Sequence, residues 1–516
     1  MATYKLTSVI FLKCLSAIHF LAFLIAYNQN DGLIGKNGLL PADRYFRLLE
    51  DHVDGDRWKG FTSFPSLNWV FPLDVLPPKT VARIGMTVST LALLPKSLAT
   101  SSPLFIMPTY LLIYILYFTI NTVGQSWFSF GWESQLLETT IIGAFVDPAN
   151  NGRFMNVSIL ACWWLSFRIM IGAGLIKIRG DSCWRDLTCM DYHYETQPVP
   201  NPLSIVLHNN PRWVHVFETA ANHFVELIAP WFLFLGISLI LVGEERKGRM
   251  MIICNGIIQV LFQTILILSG NLSFLNWLTI LPSLCYFDDE FFGRRIDGVK
   301  KPVKRRSIML YIRDGLFALL IGYCSVPVVK NLFFSGNGRQ VMNGSFNSFQ
   351  IVNTYGAFGS VTKERTELIF LGTNDKKITA NTIWLEYEFK CKPGRTDRRP
   401  CIISPYHYRL DWLLWFAAFG NYQSQPWIVH LVYKLLLGQE KSPEVMQLID
   451  FDPFEGDPEN NNSGPPTFIK IDRYRYEFTN NSRDPNWWTR SFVNEYLMPL
   501  ELSNDSLNQF VQVNFV

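Results

Sequence analysis

The sequence is short of charge. Asp, Glu, Lys and Arg make up 17% of its 516 residues, against the ~25% of an ordinary soluble chain. That deficit excludes a uniformly solvated globular protein. The two signs nearly cancel, leaving a formal net charge of +3, so no acidic partner and no nucleic acid is expected. Catalytic signatures are missing too. There is no G-x-S-x-G, H-E-x-x-H, P-loop or G-x-G-x-x-G, which removes the nucleophile elbow, the zincin site, the phosphate loop and the dinucleotide fingerprint. No enzymatic centre, metal or cofactor is therefore expected.

What is abundant is apolar sequence. Hydrophobic residues reach 49% and fill the first two thirds of the chain. A bilayer crossing needs about 20 mostly apolar residues in helix. Nine stretches qualify as candidates: 8–27, 82–99, 103–123, 133–146, 155–178, 220–243, 250–269, 273–290 and 307–329. The first has Lys5 and Lys13 at its front and no cleavage signal behind, and reads as an uncleaved anchor. Segment 133–146 is short and carries Glu133 and Glu138, so a re-entrant course is an alternative. The loop 293–306, GRRIDGVKKPVKRR, holds seven Lys or Arg against one Asp. Basic loops stay cytosolic. This puts the N-terminus in the cytosol and loops 28–81 and 178–213 in the lumen, with residues 330–516 there as well.

Sequons agree with that sidedness. Asn343, Asn461, Asn480 and Asn504 each open an Asn-x-Ser beyond the last span. Asn156 and Asn271 also do so, at membrane edges, and are expected to stay unmodified. Of nine cysteines, Cys14, Cys162, Cys254, Cys285 and Cys324 lie in apolar segments. Cys183 with Cys189 and Cys391 with Cys401 form close pairs in polar stretches and are disulfide candidates for an oxidising compartment.

The last third reads as a lumenal α+β domain. Alternation in 381–391 and 469–479 predicts strands, and ELIFLGT at 367–373, with Gly372 and Asn374 as turn formers, predicts a third. Residues 410–437 predict two amphipathic helices joined by a turn at Gly420, Asn421 and Pro426. Residues 451–466 predict an exposed acidic loop. The fold class is thus a multi-pass α-helical membrane protein, 1–329, carrying a β-sheet-containing lumenal domain, 330–516.

Ionisable groups near a bilayer are costly and stand out as functional candidates. On the helix expected over 211–230, His215, Glu218, Asn222 and Glu226 fall on one stripe near His223. A metal site is one reading of that stripe. The plainer one is pairing with Arg168, Lys177 or Glu138 to hold the bundle together. Two further regions concentrate aromatic and polar residues as contact candidates. One is the 178–213 loop with Trp184, Tyr192, His193 and Tyr194; the other is PYHYRLDW, with Tyr406, His407, Tyr408, Arg409 and Trp412. Without a nucleophile, Arg409 and Asp411 read as structural residues of a strand or a helix start.

Long aromatic-rich stretches resemble the lipase maturation factor family. They include LLPADRYF (39–46), GWESQLLE (131–138), RIMIGAGLIKIRGDSCWRDLTCMDYHYETQPVPNP (168–202), WLEYEFKCKPG (384–394), RRPCIISPYHYRLDWLLWFAAFG (398–420) and WWTRSFVNEYLMPL (487–500). The resemblance spans most of 30–500 in order. It implies residence in the endoplasmic reticulum membrane and a non-enzymatic role in folding and assembling secreted dimeric lipases. It also implies client contact through the 178–213 loop, and secreted lipases as partners beside membrane lipids. Two other functions stay open: a scaffold subunit of a larger membrane or lipid-handling complex, with other endoplasmic reticulum membrane proteins as partners, and a membrane-embedded enzyme built on His215, Glu218, His223 and Glu226.

Overall fold

The computed structural model describes residues 3–148, 156–293, 307–334, 340–455, 464–479 and 485–515. The basic loop over 294–306 and the sequons at Asn461 and Asn480 lie outside the described residues, as does half of the 451–466 loop.

Helix α1 (Lys5–Ile34) defines two ends of a bundle. At its start the Lys5 and Leu6 amides bond Asp289 at 2.9 and 2.8 Å. This is the near end. Toward its finish Gln29 donates to His407 O at 2.8 Å and accepts from the Arg409 amide at 2.9 Å. This is the far end. Short helices α2 (Ala42–His52) and α3 (Arg57–Ser63) follow at the far end.

The chain then shuttles between the ends. Helix α4 (Pro78–Leu93) starts where Lys79 pairs with Asp31 and finishes where Lys13 Nζ donates to Ala92 O at 2.7 Å. Helix α5 (Pro103–Val123) returns, from Tyr110 against Ser16 at 2.7 Å to Thr122 bonding Pro65 O at 2.6 Å. Helix α6 (Gly131–Ala144) descends from Glu133 beside Arg409 to Gly143 against Leu15. Helix α7 (Val157–Arg179) climbs from Trp163, which donates to Cys285 O at 2.7 Å.

Three short helices follow: α8 (Ser182–Arg185), α9 (Met190–Thr196) and α10 (Pro202–His208). So the 178–213 loop is a compact helical cap, not an open loop. Helix α11 (Arg212–His223) passes through a π turn and a 3₁₀ turn into α12 (Phe232–Leu241), the break falling at Pro230. Helix α13 (Glu245–Ser269) climbs. Helix α14 (Leu275–Leu284) descends from Asn271, and residues 285–289 carry the chain back to Lys5. Helix α15 (Ile308–Phe333) climbs from Arg313, which bonds Phe145 O at 3.2 Å, to Asn331.

The described residues thus make nine passes, one for each apolar stretch of the sequence. Six of the helical segments are long and apolar enough to cross a membrane. The other three passes are shorter helices, α4 with 16 residues, α6 with 14 and α14 with 10. Proline bounds or interrupts each of the two outer ones: Pro78 opens α4 and Pro282 lies in α14. Helix α6 is buried from Trp132 to Ala144. Its polar residues therefore face protein partners, and it runs the depth of the bundle instead of re-entering.

The C-terminal part holds β1 (Arg365–Thr373), β2 (Leu385–Glu386), β3 (Glu388–Phe389), α16 (Arg409–Ala417), α17 (Pro426–Lys441), α18 (Pro443–Met446), β4 (Ile449–Phe451), β5 (Phe468–Phe478), β6 (Trp488–Leu500) and α19 (Asp505–Phe515). An antiparallel sheet runs β2-β1-β5-β6, and β3 pairs with β4. The strand expected over 381–391 is only partly realised. It divides at Tyr387, Leu385–Glu386 joining β1 and Glu388–Phe389 joining β4, while Ile383 is exposed. The strands expected near 367–373 and 469–479 are β1 and β5, and the two expected helices are α16 and α17. One face of the sheet, with Leu368, Phe370, Ile469 and Ile471, joins a hydrophobic core that runs unbroken from Phe11 on α1 to Val511 on α19. Bundle and sheet share that core.

Candidate functional site

Four buried ion pairs lie where the bundle meets the layer above it, and one of them, Arg409–Glu133, bridges the two directly. The first junction is made by Arg409, the first residue of α16. Its Nη1 donates to Glu133 Oε1 at 2.6 Å and to Trp127 O at 2.7 Å, and its guanidinium lies 3.6 Å from the Phe128 ring centre. Glu133 also accepts from Trp132 Nε1 at 3.0 Å and from the Tyr117 hydroxyl. His407 sits beside this pair, 2.8 Å from Ser273 Oγ. Burial, then the Arg409 charge, holds its pKa well below the usual imidazole range, which keeps it neutral. Two residues along α16, Asp411 Oδ2 accepts from the Cys391 and Lys392 amides at 2.6 and 3.0 Å. One turn of helix thus grips the bundle through Arg409 and the loop opening at Cys391 through Asp411. Burial pushes the Asp411 carboxyl up to about 6 against those two bonds.

In the second junction Arg168 of α7 pairs with Glu138 of α6. Arg168 also donates to Asn353 O at 2.7 Å, while Glu138 Oε2 accepts from the Asn353 amide at 2.9 Å and the Tyr355 hydroxyl at 2.6 Å. The irregular segment 340–361 is held onto the bundle this way. In the third, Lys177 donates to Glu226 at 2.6 Å and Asn222 at 2.8 Å, with its ammonium 4.7 Å from the Trp184 ring centre. In the fourth, Arg365 of β1 donates to Glu195 O, Gln197 O and Pro198 O at 2.9, 2.5 and 3.0 Å, and pairs with Glu367 at 2.5 Å. Lys392 reaches the other Glu367 oxygen at 3.2 Å. The sheet is clamped to the 178–213 cap through these carbonyls.

The structure divides the expected stripe: Asn222 and Glu226 share Lys177, and the others take separate partners. His215 bonds Asp191 at 2.9 Å and Leu207 O at 3.1 Å, Glu218 meets the Tyr194 hydroxyl, His223 bonds Trp184 O at 2.9 Å, and Glu226 takes Lys177. The π turn at Phe224–Ile228 rotates Glu226 out of the α-helical register of His215 and Glu218. Among the described residues no three of His, Cys, Asp and Glu gather as metal ligands. Of the partners the pairing alternative named, only Lys177 is met, by Glu226; His215, Glu218 and His223 turn to Asp191, Tyr194 and Trp184 O, and Glu138 and Arg168 form their own junction.

Most of the aromatic contact candidates face inward. Trp184, His193, Tyr194, His407, Arg409 and Trp412 are buried, and Tyr192, Tyr406 and Tyr408 keep partial exposure. Their density serves the joint between cap, bundle and domain. Trp412 packs on Trp132 at 4.9 Å between ring centres, and His193 on Phe358 at 5.0 Å. For the buried six, a directly exposed contact surface is therefore corrected to an internal one. Cys183 and Cys189 lie at a disulfide distance, 4.8 Å between Cα atoms, as do Cys391 and Cys401 at 5.6 Å. Asn343 is exposed, and Asn504 caps α19 through Oδ1 at 2.9 Å from the Ser506 amide. Sequence reasoning missed the Arg409–Glu133 and Arg365–Glu367 junctions. The available signal was an arginine opening the apolar run LDWLLWFAAF.

Comparison with known proteins follows this division of the chain. The family model described as lipase maturation factor transmembrane domain matches residues 6–294, and that of the lipase maturation factor C-terminal domain matches 351–499. The chain is 45% identical to lipase maturation factor 1 of Mus musculus and 43% identical to that of Homo sapiens, in each case over 97% of this chain and 88% of the relative. It is 27% identical to lipase maturation factor 2 of Xenopus laevis, over 99% of this chain and 84% of that protein. No solved structure matches. With both halves matched and the junctions between them built from the shared stretches, the chain belongs to the lipase maturation factor family.

Proposed function

We propose that this protein is an endoplasmic reticulum membrane factor that helps secreted dimeric lipases fold and assemble, without itself catalysing a reaction. The observation that carries the reading is the family match over both the bundle and the sheet domain. The distribution of cysteines supports it. Both disulfide-distance pairs lie at the far end, and the five free cysteines lie in the bundle. In this reading the far end is lumenal and the near end, with the N-terminus and the basic loop, is cytosolic. An odd number of passes is what that sidedness requires.

With the cap aromatics turned inward, client contact falls to the exposed outer parts of the domain. Strand β6 is the sheet edge. Residues Ser491–Glu495 on it are exposed, Phe492 and Val493 among them. The test is capture of the endogenous protein in mild detergent from cells that secrete lipase. Recovery of an incompletely assembled lipase is expected. A preparation without lipase, from cells whose lipase output survives loss of the protein, contradicts the proposal.

A further inference from the structure

Where α13 gives way to α14, two bundle helices turn at the far end, and a segment of the domain is fastened to that turn. Asn271 donates from Nδ2 to Cys401 O at 2.9 Å and accepts from the Ile403 and Ser404 amides at 3.1 and 3.2 Å. Ser404 Oγ donates to Ser273 O at 3.1 Å and accepts from Trp277 Nε1 at 3.1 Å. Trp277 stands in the first turn of α14 and is 39% exposed. Residues 401–404 therefore lie level with the turn where α13 ends and α14 begins.

The outward surface on both sides of that point is apolar. Leu261, Ile265 and Leu268 of α13 are exposed. Leu203, tied to α13 by the Asn201 bond to Leu268 O at 2.8 Å, is exposed as well. Ile402 is 72% exposed. A strip of apolar surface thus continues from the wall of α13 past its end and onto the domain. Three residues earlier stands Arg399. It is exposed and, among the described residues, has no carboxylate partner, whereas Arg395 pairs with Asp397, and Arg398 with Glu388 and Asp450.

We propose that Arg399–Ser404 is a membrane-surface contact, with Ile402 entering the boundary of headgroups and acyl chains and Arg399 meeting lipid phosphate. The occupant is bilayer phospholipid, because the surface continues the lipid-facing wall of a spanning helix. An indole beside it matches the chemistry of that boundary, and the arginine fork matches phosphate. An isoleucine this exposed gains by leaving water. The contact holds the base of the Cys391–Cys401 loop at the bilayer.

The experiment places a benzoylphenylalanine photocrosslinker singly at positions 402, 268 and 383 of the full-length protein in phosphatidylcholine nanodiscs. Lipid adducts are read by intact mass. Adducts at 402 as at 268, with little at 383, are expected, since Ile383 is a similarly exposed residue away from the α13–α14 turn. Adducts at 268 without adducts at 402 overturn the proposal. In the same discs R399E lowers the yield at 402; an unchanged yield overturns the phosphate half.

Discussion

Arg409 and Glu133 are 0% and 1% exposed, and neither charge is tolerable there without the other. Breaking a buried pair leaves one uncompensated ion, at a cost of about 3–5 kcal/mol. Arg409→Met is therefore expected to lower the unfolding free energy of the detergent-purified protein by about that amount. The double variant R409M/E133Q removes both charges and should lose less than the sum of the singles; additive losses in thermal unfolding contradict the pairing. Two other groups set opposite pH slopes. The folded chain holds the Asp411 proton more tightly than the unfolded one, so its contribution to stability falls as pH rises from 3.8 to about 6. His430, 2.8 Å from Leu39 O, is held at about 4 chiefly by burial. The folded chain binds that proton more weakly, so stability falls as pH drops from 6.5 towards 4. Thermal midpoints across pH should lose the first slope in D411N and the second in H430Q; unchanged profiles contradict both. Such side chains are legible in sequence only in part. Glu138 and Arg168 stand out because an apolar run exposes the cost of charge. Arg409 and Glu133 are 276 residues apart, and no local pattern links them.

Among elements, close approach matters as much as charge. A Cβ on Gly172 of α7 would lie 2.3 Å from Tyr355 O, so this helix touches the 340–361 segment through bare backbone. Gly172→Val forces them apart, and overpacking of this kind costs about 1–3 kcal/mol. The expected signs are a lower melting temperature and faster proteolysis within 340–361; a variant as stable as the parent contradicts the packing. Strand β5 was legible because Tyr474, Tyr476 and Phe478 alternate with charged residues, and β1 because its short apolar run is buried on both faces. Strand β6 was not. Its register against β5 shifts near Ile469, Ile471 and Arg473, and such bulges scramble the period-two signal. The alternation in 381–391 misled for the opposite reason, since the pattern survives while the chain divides between two sheets. Helix α6 carried mixed signals because burial on all sides permits both leucine and glutamate.

For the whole molecule, the proposed sidedness requires all nine passes to cross the bilayer, so that the two ends of the chain face opposite sides. If the far end is lumenal, Asn343 and Asn504 are reachable by the glycan-transferring machinery. A glycosidase should then sharpen or shift the band, and N343Q and N504Q should each remove a step. No shift contradicts the sidedness. The division into apolar bundle and sheet domain was readable from composition alone. Their shared core was not, because it is made by contacts such as Gln29 with His407 across several hundred residues. The most direct measurement is lipase activity per unit of lipase protein in the medium of cells lacking this protein. The account predicts that it collapses and is restored by the wild-type chain but not by R409M. Normal specific activity in the deleted cells would contradict it.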